Sequence, residues 1–159
     1  MFKLIGAMAV IIAAGFIGLR KYCELYERKR LLCIIRDGTE KIRGNLKCMC
    51  MPLYECFLHG GEFFENAAKA VCEGELPRIA VSISADRFHH LTSEDKECIR
   101  RFADGLCADD CDGQIRNTEL FITELDRQIE KASSELETKG KLFVKGSFLA
   151  AAALVLILI

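Results

Sequence analysis

The sequence predicts an all-α membrane protein, in which N- and C-terminal transmembrane helices flank a cytosolic helical bundle of about six helices. Apolar residues are concentrated at the two ends of the chain, and most charged residues lie between them. Only two prolines occur, and few runs alternate between apolar and polar residues as strands do. The expected division is a first transmembrane helix at residues 1–19, the bundle at 20–141 and a second transmembrane helix at 142–159.

The C-terminal stretch, residues 142–159, carries no charge after Lys145. A helix that is apolar all round has no face for water, which is typical of a membrane span or of a buried core helix. A helix of this length extends roughly 27 Å, close to the ~30 Å hydrocarbon core of a bilayer. A second such stretch at the other end of the chain favours the membrane over a buried core.

That second stretch, residues 4–19, is also free of charge and is followed by a basic segment at residues 20–30. A cleaved signal peptide shares the basic start and the apolar middle, but no clean small-x-small cleavage site directly precedes the basic flank. Positive flanks stay on the cytoplasmic side, and Lys139 and Lys141 flank the C-terminal stretch as well. We therefore expect the middle of the chain in the cytosol and both termini outside it.

Two pairs of small residues are candidates for helix packing within the membrane. Ala14 with Gly18, and Gly146 with Ala150, have the small-xxx-small spacing that lets helix backbones approach closely in lipid. Glycine and alanine are also simply common in membrane helices. The spacing does not say whether the contact would be made within one chain or between chains.

The first helix is expected to continue from the membrane to about residue 47. Its apolar residues recur on one face, while charges occupy the other. The members of this face are Leu25, Leu32, Ile35 and Ile42. Gly44 and Asn45 weaken the helix near its end.

Four short helices are predicted in the middle of the chain. Their expected extents are Pro52 to His59, Glu62 to Val71, Pro77 to His90, and Thr92 to Gly105. Proline suits a first helical turn, because its missing N–H has no helical partner there. Thr92 and Asp95 have the spacing of a capping box. A polar turn, Ala108 to Gly113, follows.

The last helix is expected to start near Gln114 and to run to the end of the chain. Apolar residues recur every seven positions, the spacing of a seam between long helices that lie side by side. They are Ile115, Ile122, Ile129, Leu136 and Phe143, with Leu125 and Ala132 between them. The first and last helices are therefore predicted to pair antiparallel, with the short helices closing a bundle.

The nine cysteines are the most unusual feature of the composition. They stand at positions 23, 33, 48, 50, 56, 72, 98, 107 and 111. Their number is odd and no Cys-x-x-Cys occurs, so a secreted disulfide framework is not indicated. We interpret them as small core residues kept reduced in a cytosol. The alternative is a membrane-tethered redox or metal-sensing module that uses them.

No metal, cofactor or catalytic residues are predicted. A partial calcium loop occurs at Asp110, Asp112, Gly113 and Glu119. Its first and ninth positions would be Ala108 and Arg116, which cannot ligate calcium.

A zinc site built from His89, His90 and Cys98 lacks the close ligand pairs that zinc usually requires. The nearest pairs are Cys48-x-Cys50 and Cys107-x-x-x-Cys111. Phosphate-binding glycine motifs are absent from the sequence, and the net charge of −1 gives no indication of nucleic-acid binding.

Several short motifs, spread along the whole chain, resemble one known family. They are Leu4-Ile5-Gly6-Ala7, Pro52-Leu53-x-Glu55, Leu91-Thr92-x-Glu94-Asp95 followed by Gly105-Leu106, Asp109 and Asp112 with Gln114, and Lys145-x-x-Phe148-Leu149. In this order they resemble the stage III sporulation protein AB family of endospore-forming bacteria. The chain departs from the family in its nine cysteines and in a somewhat shortened middle.

The resemblance implies a fold similar to the cytoplasmic helical-bundle domain of type II secretion platform proteins. It implies a non-enzymatic platform or assembly component of a secretion-like channel, placed in the mother-cell membrane around the forespore. The partners it implies are a secretion-type ATPase of the same operon, other sporulation channel proteins and the membrane, with homo-oligomers left open. It supplies no catalytic or cofactor-binding residues.

Overall fold

The computed structural model describes residues 2–49, 51–106 and 111–158. Side chains at 2–5, 7, 9–11, 49, 154 and 156–158 lie outside that description. All elements of the described part are helical, as the sequence predicts.

Seven α-helices follow one another in the described part of the chain. They are α1 (Phe2–Met49), α2 (Leu53–His59), α3 (Glu62–Cys72), α4 (Pro77–Arg87), α5 (Ser93–Gly105), α6 (Cys111–Glu135) and α7 (Lys141–Leu158). A π-helical turn, Leu136–Gly140, joins α6 to α7 without a break. The uninterrupted last helix is therefore as predicted, although it already includes residues 111–113, which were expected in a turn.

The chain forms two compact units. The terminal unit comprises Met1–Lys29 and Lys131–Ile159, and the central unit comprises Arg30–Glu130. The domain boundaries expected at residues 19 and 141 both fall inside the terminal unit, and the division of the chain at those positions remains a prediction.

The short helices of the central unit begin and end at residues suited to helix termini. Thr92 and Asp95 form the predicted capping box: the Asp95 N–H donates to Thr92 Oγ1 at 3.2 Å, and the Thr92 N–H donates to Asp95 Oδ2 at 2.9 Å. Gly61 and Gly74 adopt positive φ angles of 86° and 97°, a conformation that side chains rarely tolerate. Pro77 occupies the start of α4, where its missing N–H has no helical partner.

Two long helices supply much of the central core. On α1 the predicted residues Leu32, Ile35 and Ile42 are fully buried. Ion pairs join α1 to α6 at Arg36–Asp126 and Lys47–Glu119, so the two helices run antiparallel, as predicted. The predicted seam residues Ile122, Leu125 and Ala132 of α6 are buried, and the buried residues of this helix also include Thr118, Phe121 and Gln128. The predicted residues Ile115 and Ile129 lie half-buried at the edges of the buried face.

The short helices cover this pair with a cluster of phenylalanines. The rings of Phe57 and Phe64 stack with centroids 5.7 Å apart, and those of Phe102 and Phe121 stack at 4.2 Å. Phe64 also meets Phe102 edge-on at 6.5 Å, so α2, α3, α5 and α6 share one aromatic core. Along the chain, α2 packs on α3, α3 on α4 and α4 on α5.

Within the described residues, no helix is both long and apolar enough to cross a membrane. The transmembrane helices predicted at residues 1–19 and 142–159 are therefore not supported by the structure.

Candidate functional site: the paired terminal helices

In the terminal unit, the first part of α1 lies antiparallel to the last helix. The facing residues are Gly15 with Phe148, Gly18 with Ser147, Tyr22 with Gly140, Lys29 with Ser133, and Arg28 with Glu135. As the residue number rises along α1, the number of the facing residue on the last helix falls. This is the antiparallel pairing that the sequence predicts.

Gly18 marks the closest approach of the two backbones. A Cβ atom at this position would overlap Ser147 Oγ and would lie 3.0 Å from the carbonyl oxygen of Phe143. Only glycine fits at this position without moving α7, so the close packing of the two helices explains why a glycine is found here. Further along the pair, a Cβ atom on Gly140 would lie 3.0 Å from the Tyr22 ring.

The four small residues singled out from the sequence lie in different surroundings. Gly18 is at the contact, and Ala14 is half-buried. Gly146 has open space where its Cβ would stand, and Ala150 is exposed. Gly15 and Gly140 also lie at the contact, but neither belongs to a small-xxx-small pair in the sequence. They emerge only when the two helices are aligned antiparallel, because each faces a bulky side chain of the other helix.

The outer surface of the pair exposes many large apolar side chains. On α1 they are Met8, Ile12, Phe16, Ile17 and Leu19, and on α7 they are Leu142, Phe143, Phe148 and Leu149. Phe16 is 73% exposed and Leu149 is 72% exposed. Isolated exposed apolar residues are normal on a protein surface, but nine large ones on a single pair of helices are not. An apolar surface of this kind is typical of contact with lipid or with another protein.

A polar cluster lies in the same unit beside the π-helical turn. Arg28 Nη1 donates to Glu135 Oε2 at 2.6 Å, and only 6% of the Arg28 side chain is exposed. Lys139 Nζ donates to the other carboxylate oxygen of Glu135 at 2.9 Å. The hydrogen bond from Lys139 lowers the pKa of Glu135, and the charge of Arg28 adds to this against the opposing effect of burial. Glu135 is thus held ionised between two cations.

The central unit contains a groove of about 330 Å³ between α5 and α6. It is lined by Cys98, Arg101, Phe102, Asn117, Leu120, Phe121 and Glu124. Burial raises the pKa of the Cys98 thiol to about 12, so the thiol is protonated at neutral pH. Because the thiolate is the nucleophile and the metal ligand, Cys98 is poorly suited to either chemistry.

The candidate metal ligands are not gathered into a site within the described residues, where no group of three or more His, Cys, Asp or Glu side chains could hold a metal ion. Glu119 is engaged by Lys47, at 2.5 Å. Cys50, Cys107 and Asp110 lie outside the described residues. The seven described cysteines are all free of disulfides: Cys23, Cys33, Cys48, Cys56, Cys72, Cys98 and Cys111.

These features define an all-α protein whose terminal helices pair closely through glycine and expose apolar side chains on their outer surface. The chain belongs to the family described as Stage III sporulation protein AB, whose model matches residues 3–159. The family resemblance drawn from the sequence is therefore confirmed over nearly the whole chain, and it gives the chain a role in stage III of sporulation. Neither the comparison with curated proteins nor that with solved structures yields a match.

Proposed function

We propose that this chain is a non-enzymatic membrane platform of a secretion-like channel between mother cell and forespore. In this proposal the terminal helix pair lies in the mother-cell membrane around the forespore. The central unit faces the cytosol, both termini lie outside it, and the central unit engages a secretion-type ATPase and other channel proteins. The single observation that carries the proposal is the apolar outer surface of the closely paired terminal helices.

The membrane assignment is supported by the energy of that surface. Exposed apolar area costs about 25 cal/mol per Å² when it remains in water, so side chains such as Phe16 and Leu149 favour a lipid environment. Cations stand at the ends of the apolar surface, at Arg20 and Lys21 on one helix and at Lys139 and Lys141 on the other. Basic residues in such positions favour the cytosolic side of a membrane.

The redox or metal-sensing alternative has less support. Burial raises the pKa of Cys98 and also that of Cys56, which moves both thiols away from the reactive thiolate form. The described cysteines are spread over several helices, with Cys72 and Cys111 exposed and Cys56 and Cys98 buried. A sensor would be better served by a low-pKa cysteine beside a second, resolving cysteine.

Membrane insertion can be tested by alkaline carbonate extraction of the full chain from sporulating cells. We expect the unsubstituted chain to stay in the membrane pellet. The double substitution Phe16→Lys and Leu149→Lys should release it, because a lysine within a bilayer costs about 3 kcal/mol. Leu120→Lys is the matched control, since Leu120 is 66% exposed on α6 of the central unit, and it should leave the chain in the pellet. Recovery of the unsubstituted chain in the soluble fraction would refute membrane insertion.

A further inference from the structure

Helix α4 carries apolar residues on two opposite faces. Its inner face is buried against α3 and α5 through Ala80, Val81, Ser84 and Ala85. Its outer face exposes Leu76, Ile79 and Ile83, which are 64%, 41% and 45% accessible to solvent. Together with Arg78, Ser82 and Asp86, these residues line a shallow groove of about 390 Å³, here called the α4 ridge.

The ridge has the spacing of a helix-packing seam. Leu76, Ile79, Ile83 and Asp86 follow one another at intervals of three, four and three residues, which keeps them on one side of a helix. Two such ridges can pack antiparallel, with Ile79 of each copy beside Ile83 of the other. An inner face already filled by the core leaves this outer seam free for a partner outside the central unit.

The charges beside the ridge are arranged so that the surface complements itself. Near its start, Arg78 pairs with Asp104 of α5 at 2.6 Å. Near its end, Asp86 lies 3.5 Å from both Lys96 and Arg100 of α5. Helix α5 therefore runs antiparallel to α4. Its row of charged residues is acidic beside Arg78 and basic beside Asp86, which is the reverse of the order on α4.

We propose that the α4 ridge and the adjoining row of α5 form a contact between two copies of this chain, related by a twofold axis. Antiparallel packing about that axis places Arg78 of one copy near Asp86 of the other, and Asp104 of one copy near Lys96 of the other. A twofold contact uses the same patch on both copies, so both relations occur twice. Opposite charges meet in both relations, while Arg100, one helical turn from Lys96 and from Asp104, lies level with the axis.

The balance of charge favours a second copy over a strongly charged partner. Arg78, Lys96 and Arg100 are interspersed with Asp86 and Asp104, so the ridge has no single-sign field to attract a nucleic acid or an acidic segment. Three half-exposed aliphatic side chains supply only part of the roughly 800 Å² per partner found in stable interfaces. The contact is accordingly weak and depends on concentration. It does not depend on the proposed membrane platform.

The test is co-purification of two differently tagged full-length copies in mild detergent. Unsubstituted copies should co-purify. Asp104→Lys with itself, and Lys96→Glu with itself, should each lower recovery by at least about tenfold, because like charges then meet across the twofold axis. A mixture of the Asp104→Lys chain with the Lys96→Glu chain should restore recovery, because the introduced lysine then faces the introduced glutamate and the native Lys96 faces the native Asp104.

The apolar part of the contact has its own pair of variants. Ile79→Glu should abolish co-purification, whereas Leu120→Glu, an equally drastic change at an exposed residue of α6, should not. Thermal unfolding followed by circular dichroism verifies that each variant is folded. The proposal is overturned if unsubstituted copies fail to co-purify, if the charge variants associate with themselves as well as the unsubstituted chain does, or if mixing them restores nothing.

Discussion

Individual glycines of the long helices have quite different surroundings. A Cβ atom on Gly38 would overlap the carbonyl oxygen of Gly60 and would lie 3.0 Å from the Phe64 ring. Gly44, six residues further along α1, has no atom within 4 Å of that position. Glycine inside a helix normally costs up to about 1 kcal/mol relative to alanine. Gly38 is therefore required by the close approach of α1 to the turn between α2 and α3, whereas Gly44 has no such role.

This difference between the two glycines can be tested by replacing each of them with alanine. Gly38→Ala should lower the free energy of unfolding by about 2 kcal/mol, because the backbone carbonyl of Gly60 cannot move aside easily. Gly44→Ala should raise it by about 0.5–1 kcal/mol through better helix propensity. Urea unfolding of the full chain, followed by circular dichroism, measures both. Similar effects at the two positions would contradict the proposed packing around Gly38.

The sequence identifies Gly44 as a weak point of α1 but does not identify Gly38. Both glycines stand inside a helix, and the pattern along the chain contains nothing that separates them. The distinction arises from the turn at Gly60, which approaches α1 only in the folded chain. In contrast, Thr92 and Asp95 could be assigned to a capping box from sequence alone, because both partners lie within one turn of helix.

At the scale of helices, the order of elements and most of their ends could be predicted from local signals such as Pro77 and the turn at Gly60 and Gly61. The full width of the buried face of α6 could not. The seven-residue repeat containing Ile115 and Ile129 indicated one face, but the buried face also includes Thr118 and Gln128.

Neighbouring helices decide which polar residues are enclosed. Gln128 Nε2 donates to Glu94 at 3.3 Å, whereas Gln128 Oε1 is buried with no hydrogen-bond partner among the described residues. A buried amide of this kind has no signature in the periodicity of a single helix. Its position depends on α5, which brings Glu94 to the same place.

The cluster beside the π-helical turn predicts a pH dependence of stability. Glu135 has a pKa below its ordinary value of 4.5, so its contribution is complete above about pH 4.5 and is lost as the pH falls through the lowered pKa. Glu135→Gln should lower the free energy of unfolding by about 2 kcal/mol at neutral pH, because the nearly buried Arg28 loses an anionic partner. The deficit relative to the unsubstituted chain should shrink as the pH is lowered toward 4 and below.

Thermal unfolding at a series of pH values measures this effect. Glu137→Gln is the control, since Glu137 is exposed and lies only two residues away, and its effect should stay within about 0.5 kcal/mol. A deficit for Glu135→Gln that stays constant as the pH falls would show that the ionised carboxylate is not the source of the stabilisation.

At the scale of the whole molecule, the scarcity of strand-like alternation predicted an all-helical chain, and apolar stripes predicted antiparallel long helices. Both predictions are confirmed for the described residues. Membership of the sporulation family is confirmed as well. Membrane insertion, orientation and partners remain predictions, because they depend on lipid and on other proteins. Hydropathy indicates that the exposed residues Phe16 and Leu149 favour an apolar environment, but it does not distinguish lipid from the surface of another protein.

Engagement of a secretion-type ATPase by this chain, acting as a channel platform, can be tested by a pulldown of the tagged full chain. The chain is isolated from sporulating cells in mild detergent, and co-purifying proteins are identified by mass spectrometry, with untagged cells as the control. We expect the ATPase and other sporulation channel proteins to be recovered with the tagged chain and to be missing from the control. Recovery of the chain without the ATPase, in every detergent tried, would contradict the proposed engagement.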